Sequence, residues 1–171
     1  MTTTSAPTTD AAAPSATSDP ATPCATTFPT GRLPSDRMVD VLVGSTGSQD
    51  VVTFVFGALS LPEPPQGPSE GELTVATPPF THASSGLPID IDGERVLQLR
   101  FTGMSLSNDV GQPTYDGNLD FRPALPALRT LVNFDLSEGH VSWLIGYDGQ
   151  GCVTVSSDAR SVTIAIDHPA S

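Results

Sequence analysis

From Met38 onward the chain alternates apolar and polar residues in short runs separated by Gly, Ser, Asp and Pro. Val39, Val41 and Val43 alternate with Asp40, Leu42 and Gly44, which predicts a strand with one buried face. After a Gly-containing turn, VVTFVFGAL places Val52, Phe54 and Phe56 on one face and Val51, Thr53 and Val55 on the other. Both faces are apolar enough for a central strand, paired with the first in a hairpin. LTVAT predicts a short strand closed by Pro78 and Pro79, and Ile89 and Ile91 suggest an edge pairing. RVLQLRFTGM turns Leu97, Leu99 and Phe101 inward and Gln98 and Arg100 outward.

The pattern is clearest between Leu128 and His168. LRTLVNFDL is expected to set Val132, Phe134 and Leu136 on one face and Arg129, Asn133 and Asp135 on the other. Gly139, in SEGH, suits the left-handed position of a bulged hairpin. VSWLIGYDG aligns Val141, Trp143, Ile145 and Tyr147; CVTVSSD follows; RSVTIAIDH aligns Val162, Ile164 and Ile166. The Pro- and Gly-rich stretch SLPEPPQGPSEGE cannot be a helix or a central strand. SLSNDVGQPTYDGNLDFRPALPA is a long connection, of the kind that covers or binds. Many short strands, frequent turns and no βαβ spacing predict an all-β fold. The expected form is an antiparallel β-sandwich of about seven or eight strands with little or no helix.

Composition adds a division. Residues 1–31 are almost all Thr, Ala, Ser and Pro, with one Phe and no Ile, Leu or Val. Such a segment buries too little apolar surface to offset its chain entropy. It reads as a disordered linker over 1–32 before a domain over 33–171. Net charge is −12, from 19 acids and 7 bases, all Arg. No basic stripe exists to displace counterions from nucleic acid or to adsorb on an anionic membrane. No apolar run is long enough for a transmembrane helix, and no signal-peptide pattern is present. A Thr/Ser/Pro/Ala tether before a β-domain is what remains once an export signal is removed, so the expected location is extracytoplasmic. In an oxidising compartment Cys24 and Cys152 would pair and tie the tether to a core strand. The loop is long, and its closure is worth at most about 4–5 kcal/mol on the entropic account.

The order of residues also resembles a known family. DVLVG precedes VVTFVF; then come SSGLPIDIDGERVLQLRFTG, LPALRTLVNFDLSEGHVSWLIGYDG and ARSVTIAIDHP. Over roughly residues 38–169 this is similar to the AMIN-like domain of actinobacterial exported proteins and lipoproteins. The resemblance implies a β-sandwich outside the cytoplasmic membrane. It implies a non-catalytic module that binds or localises to the cell envelope, through peptidoglycan or a protein partner, and it brings no catalytic residues. The chain lacks the signal peptide and lipobox Cys of a typical family precursor.

Candidate chemistry is sparse. His82, His140 and His168 have no metal-ligand spacing, and neither a metal nor a cofactor is expected. No GxSxG elbow frames a nucleophile. DIDGE and the NDVGQPTYDGNLD loop offer oxygen ligands but not the twelve-residue calcium pattern; solvated turns are the commoner use of such residues. Trp143 shares its face with Val141 and Ile145 and reads as core. Tyr115 and Arg122, in the long loop, could stack on sugar rings and hydrogen-bond their substituents, or fold back over the core. Arg100 and Arg129, with Gln98 and Asn133, would make a basic-polar patch if their strands are neighbours. The ligand-binding candidates are therefore Arg100, Tyr115, Arg122 and Arg129, on an expected monomer. An alternative is a small-ligand or lipid carrier. That reading needs an apolar cavity between the sheets, a space Phe54, Phe56, Phe101, Phe134 and Trp143 look able to fill.

Overall fold

The computed structural model describes residues 32–58 and 69–169. The expected linker, apart from Arg32, and Cys24 lie outside the described residues. Nine strands are present among the described residues, with no helix. They are β1 (Met38–Thr46), β2 (Gln49–Phe56), β3 (Glu70–Val75), β4 (Arg95–Thr102), β5 (Asp120–Phe121), β6 (Leu128–Ser137), β7 (His140–Tyr147), β8 (Val153–Ser157) and β9 (Ser161–Asp167). Two antiparallel sheets result, ordered β1-β2-β9-β8 and β3-β4-β7-β6-β5. The count exceeds the sequence expectation because β5 is only two residues long, too short to leave a periodic signal.

The inward faces are the ones the alternation predicts. Val52, Phe54, Phe56, Leu97, Leu99, Phe101, Val141, Trp143, Ile145, Tyr147, Val162, Ile164 and Ile166 are all at most 2% exposed. Each such side chain contributes about 1.5–3 kcal/mol by leaving water. The space between the sheets is filled by rings: Phe54 meets Phe101 edge-on at 5.2 Å between centroids and Trp143 at 5.7 Å. Phe56 closes on Phe101 at 5.6 Å. A carrier's inter-sheet cavity would need this volume.

Two bulges correct the sequence reading. A register shift between Met38 and Asp40 turns Met38 into the core, 1% exposed, and leaves Val39 39% exposed. A second shift lies between Asn133 and Asp135. It breaks the simple alternation of β6: Asn133 lies opposite Trp143 and is 7% exposed, not outward. Its Nδ2 donates to the carbonyl of Ser142 at 3.1 Å. An added residue resets which side chains share a face. The β6–β7 hairpin turns through Glu138 and Gly139, both at positive φ (52° and 78°), with Ser137 opposite His140. A two-residue turn of this hand follows the strand twist.

The sheets are also joined by a buried acid. Asp50 of β2 is fully buried, and its Oδ2 accepts the backbone N–H groups of Ala127 (2.7 Å) and Leu128 (2.9 Å) where β6 begins. Its Oδ1 lies 2.8 Å from Nε2 of His168. Burial pushes the carboxyl pKa up, but the Leu128 and Ala127 donors, with His168 and Ser45, outweigh it and hold the group below its ordinary value.

Candidate functional site

The connection from β3 to β4 does not simply return. It lies back over the outer face of the five-stranded sheet. The N–H of Ala83 donates to the carbonyl of Phe134 at 2.9 Å, and that of Asp92 to Oγ1 of Thr130 at 3.0 Å. Within it, Thr81 and Pro88 form a bridge and the N–H of Ile89 donates to the carbonyl of Phe80 at 2.9 Å. No strand forms at Ile89 and Ile91; both are half-buried parts of this cover. Under it, Ser142 and Leu144 of β7 are each 2% exposed and Val132 of β6 is 4% exposed.

A groove of about 450 Å³ opens between this cover and β6. One wall carries His82, Pro88, Ile89 and Asp90; the other carries Leu119, Asp120 and Arg122; the floor is β6 from Val132 to Ser137. Its volume falls in the range of small-ligand clefts. Along the floor Val132, Phe134 and Leu136 alternate with Asn133, Asp135 and Ser137, and the walls add the carboxylates of Asp90 and Asp120.

Arg122 is the strut of the groove. Its Nε meets Asp120 at 2.7 Å and its Nη1 meets Asp92 at 3.4 Å, while Nη2 donates to the carbonyl of Asp90 at 2.9 Å. The hydrogen bond to Asp120, stronger than the cost of burial, raises its pKa further. Its charge is thus already matched by acids. Asp90 makes no side-chain hydrogen bond or ion pair among the described residues, and the Asp135 carboxylate accepts only the Ser137 hydroxyl among them, at 2.6 Å.

The other candidate residues stand apart from the groove. Arg129, at the start of β6, pairs with Asp148 through Nε at 2.6 Å and donates from Nη1 to the carbonyl of Leu125 at 3.0 Å. Arg100 points outward from β4, flanked by Glu72 on β3 and Ser142 on β7. Its Nε is buried without a hydrogen-bond partner. Tyr115 is 6% exposed, edge-on to Trp143 at 6.1 Å, with its hydroxyl donating to the carbonyl of Asn118 at 2.5 Å. Burial, then the charges of Asp40 and Asp116, push its phenol up to about 12. Cys152 is half-buried just before β8, at the edge of the four-stranded sheet.

Ser45, His168 and Asp50 gather at one end of the sandwich, but not as a proton relay. Nε2 of His168 is the atom near both Ser45 Oγ (3.3 Å) and Asp50 Oδ1 (2.8 Å). A relay needs the carboxylate on one ring nitrogen and the nucleophile on the other. No group of three or more metal-ligating side chains converges among the described residues. In the acidic long loop Asn108 Oδ1 instead accepts the N–H groups of Val110 and Gln112, fixing a turn.

Sequence reasoning missed the groove because its wall comes from the β3–β4 cover, whose prolines read only as loop. It also missed Asp50, although a signal existed: Asp50 has the parity of Val52, Phe54 and Phe56 and so had to point inward. No curated protein and no solved structure matches the chain. The model of the AMIN-like domain family matches residues 37–168, from the last residue before β1 to the one after β9. The chain belongs to the AMIN-like domain family.

Proposed function

We propose that this protein is a non-catalytic, extracytoplasmic binding module that docks on the cell envelope, either on peptidoglycan or on an envelope protein. Family membership makes it an envelope-associated module of a kind that is generally non-catalytic. The observation that carries the docking reading is the groove beside β6, a concavity that brings apolar side chains and carboxylates together. The core supports it from the other side: packed rings stand in the inter-sheet space where a carrier would need its cavity.

Several finer readings belong to the same proposal. Residues 1–32, rich in Thr, Ser, Ala and Pro, act as a tether that holds the domain off a surface. The Cys24–Cys152 disulfide anchors that tether to the edge of the four-stranded sheet. The module works as a monomer. Arg100, Arg122 and Arg129 are the proposed contacts for wall carboxylates; Arg100 has no ion pair among the described residues, whereas Arg122 and Arg129 would have to exchange their Asp partners.

The test is retention of the protein on purified peptidoglycan at low and moderate salt. Saturable retention that survives moderate salt is expected. Ser84 also lines the groove, so Ser84→Trp should obstruct it and abolish retention, and Arg100→Gln should weaken it. Absence of retention at any salt sinks the wall as the target and leaves an envelope protein.

A further inference from the structure

The groove holds one feature that a general polymer site does not need. β5 covers β6 only at Leu131 and Val132, so the second half of β6 is a sheet edge. Two of its main-chain groups are capped: the N–H of Asn133 by the carbonyl of Leu119 (2.8 Å), and the carbonyl of Phe134 by the N–H of Ala83 (2.9 Å). Beyond the bulge, the pair flanking the two-residue turn is Ser137 with His140, and Asp135 faces Ser142. In an antiparallel ladder those positions exchange hydrogen bonds with the partner strand, and the residue between them points its main chain away. That residue is Leu136. Its N–H and C=O have no partner among the described residues, and the residue, 39% exposed, lines the groove.

An open edge with an exposed Leu is a liability that proteins cover or use. Charge says what fits. Asp90, Asp120 and Asp135 line the groove, and Arg122 is already matched by Asp120 and Asp92. A second copy of this chain, with net charge −12, is repelled. We propose that the groove takes a short extended segment of a basic partner protein, which pairs with the main chain of Leu136 as an added strand. The segment's apolar side chains meet Val132, Leu119 and Ile89, and its Lys or Arg side chains reach Asp90 and Asp135. This is strand addition to an exposed edge, with main-chain bonds giving affinity and side-chain pockets giving selectivity. It rests on the reading of the chain as a binding module and names the partner's chemistry.

The experiment uses fluorescein-labelled peptides alternating valine with lysine, and valine with glutamate, added to the full chain. The lysine peptide should bind and the glutamate peptide should not. Binding should slow exchange of the Leu136 amide, read by NMR. Asp90→Asn with Asp135→Asn should weaken binding about tenfold. Leu136→Pro removes an outward N–H while leaving the β6–β7 ladder intact, and should abolish binding with the melting transition retained. If Leu136→Pro does not fold, the amide-exchange result decides. Equal binding of both peptides, or binding without protection of Leu136, overturns the proposal. No lysine-peptide binding, with peptidoglycan retention still lost in Ser84→Trp, also overturns it but leaves the binding-module reading standing.

Discussion

The two sheets treat their outer faces in opposite ways. On the four-stranded sheet the outer face is open: Leu42 is 52% exposed, and Val51, Thr53, Val55, Thr163 and Ala165 are only half-buried. On the five-stranded sheet Ser142 and Leu144 are 2% exposed under the returning β3–β4 connection. The first sheet is a two-sided layer with one dry face. The second is the middle of three layers, and the groove exists only where its cover stops. A covered sheet can therefore carry a concave site that an open one, flat and solvated, does not offer.

Four tests would break or sharpen that contrast. The largest effect belongs to the shared interior. Trp143→Ala removes the ring that meets Phe54, Tyr115 and Phe121, and should cost about 3–5 kcal/mol in urea unfolding. A loss under about 1 kcal/mol would mean the sheets are not held by this cluster.

Asp50→Ala comes next, because it leaves the N–H groups of Ala127 and Leu128 buried and unpaired. At about 1–3 kcal/mol per orphaned donor, partly relaxed, the expected cost is about 2–4 kcal/mol. The pH dependence follows from the sign of the shift. The folded pKa of Asp50 lies below its ordinary 3.8, so its contribution is complete above that value. It is lost as pH falls through the folded pKa. Asp50→Asn should therefore show a flatter acid limb of stability than the wild type; parallel limbs would refute this assignment.

The covered and open faces can be compared directly through two glycines. A Cβ on Gly146 of β7 would run into the carbonyl oxygen of Asp92 and lie 2.8 Å from Cγ2 of Ile91, whereas one on Gly44 of β1 meets nothing within 4 Å. Gly146→Ala should cost about 1–3 kcal/mol and loosen the cover, seen as faster exchange of the Asp92 amide. Gly44→Ala should stay within about 0.5 kcal/mol of wild type. Equal effects would show that the cover is not seated on β7. The smallest change expected is Thr163→Val on the open face. It removes a 3.1 Å hydroxyl contact with Thr53 that water can replace, and the stability measured by thermal unfolding should move by less than about 0.5 kcal/mol.

How much of this was legible follows the same contrast. β2 and β9 are buried on one face only, so their alternation of two gave their strands and inward residues directly. β4 did the same. β7 is buried along almost its whole length, and there the pattern identified one face, Val141 to Tyr147, but not that Ser142 and Leu144 are equally covered. β6 misled because a single added residue at its bulge reverses facing, which no pattern of period two reports. Among the candidate site residues, Arg122 was named and does line the groove. Its acid partners Asp92 and Asp120, thirty and two residues away, are set by how the connections fold back.

What the sequence determined by itself is therefore the layer architecture and the composition of its interior. Side-chain alternation and turn residues act locally, and burying the apolar face leaves a strand few choices. Only the tertiary structure decided where the β3–β4 connection lies, which acid bridges the sheets and which edge stays open. Those depend on main-chain hydrogen bonds between segments distant in sequence, such as Ala83 to Phe134 and Asp50 to Leu128. Every residue has the same main-chain donor and acceptor, so the order of side chains carries no record of which ones meet.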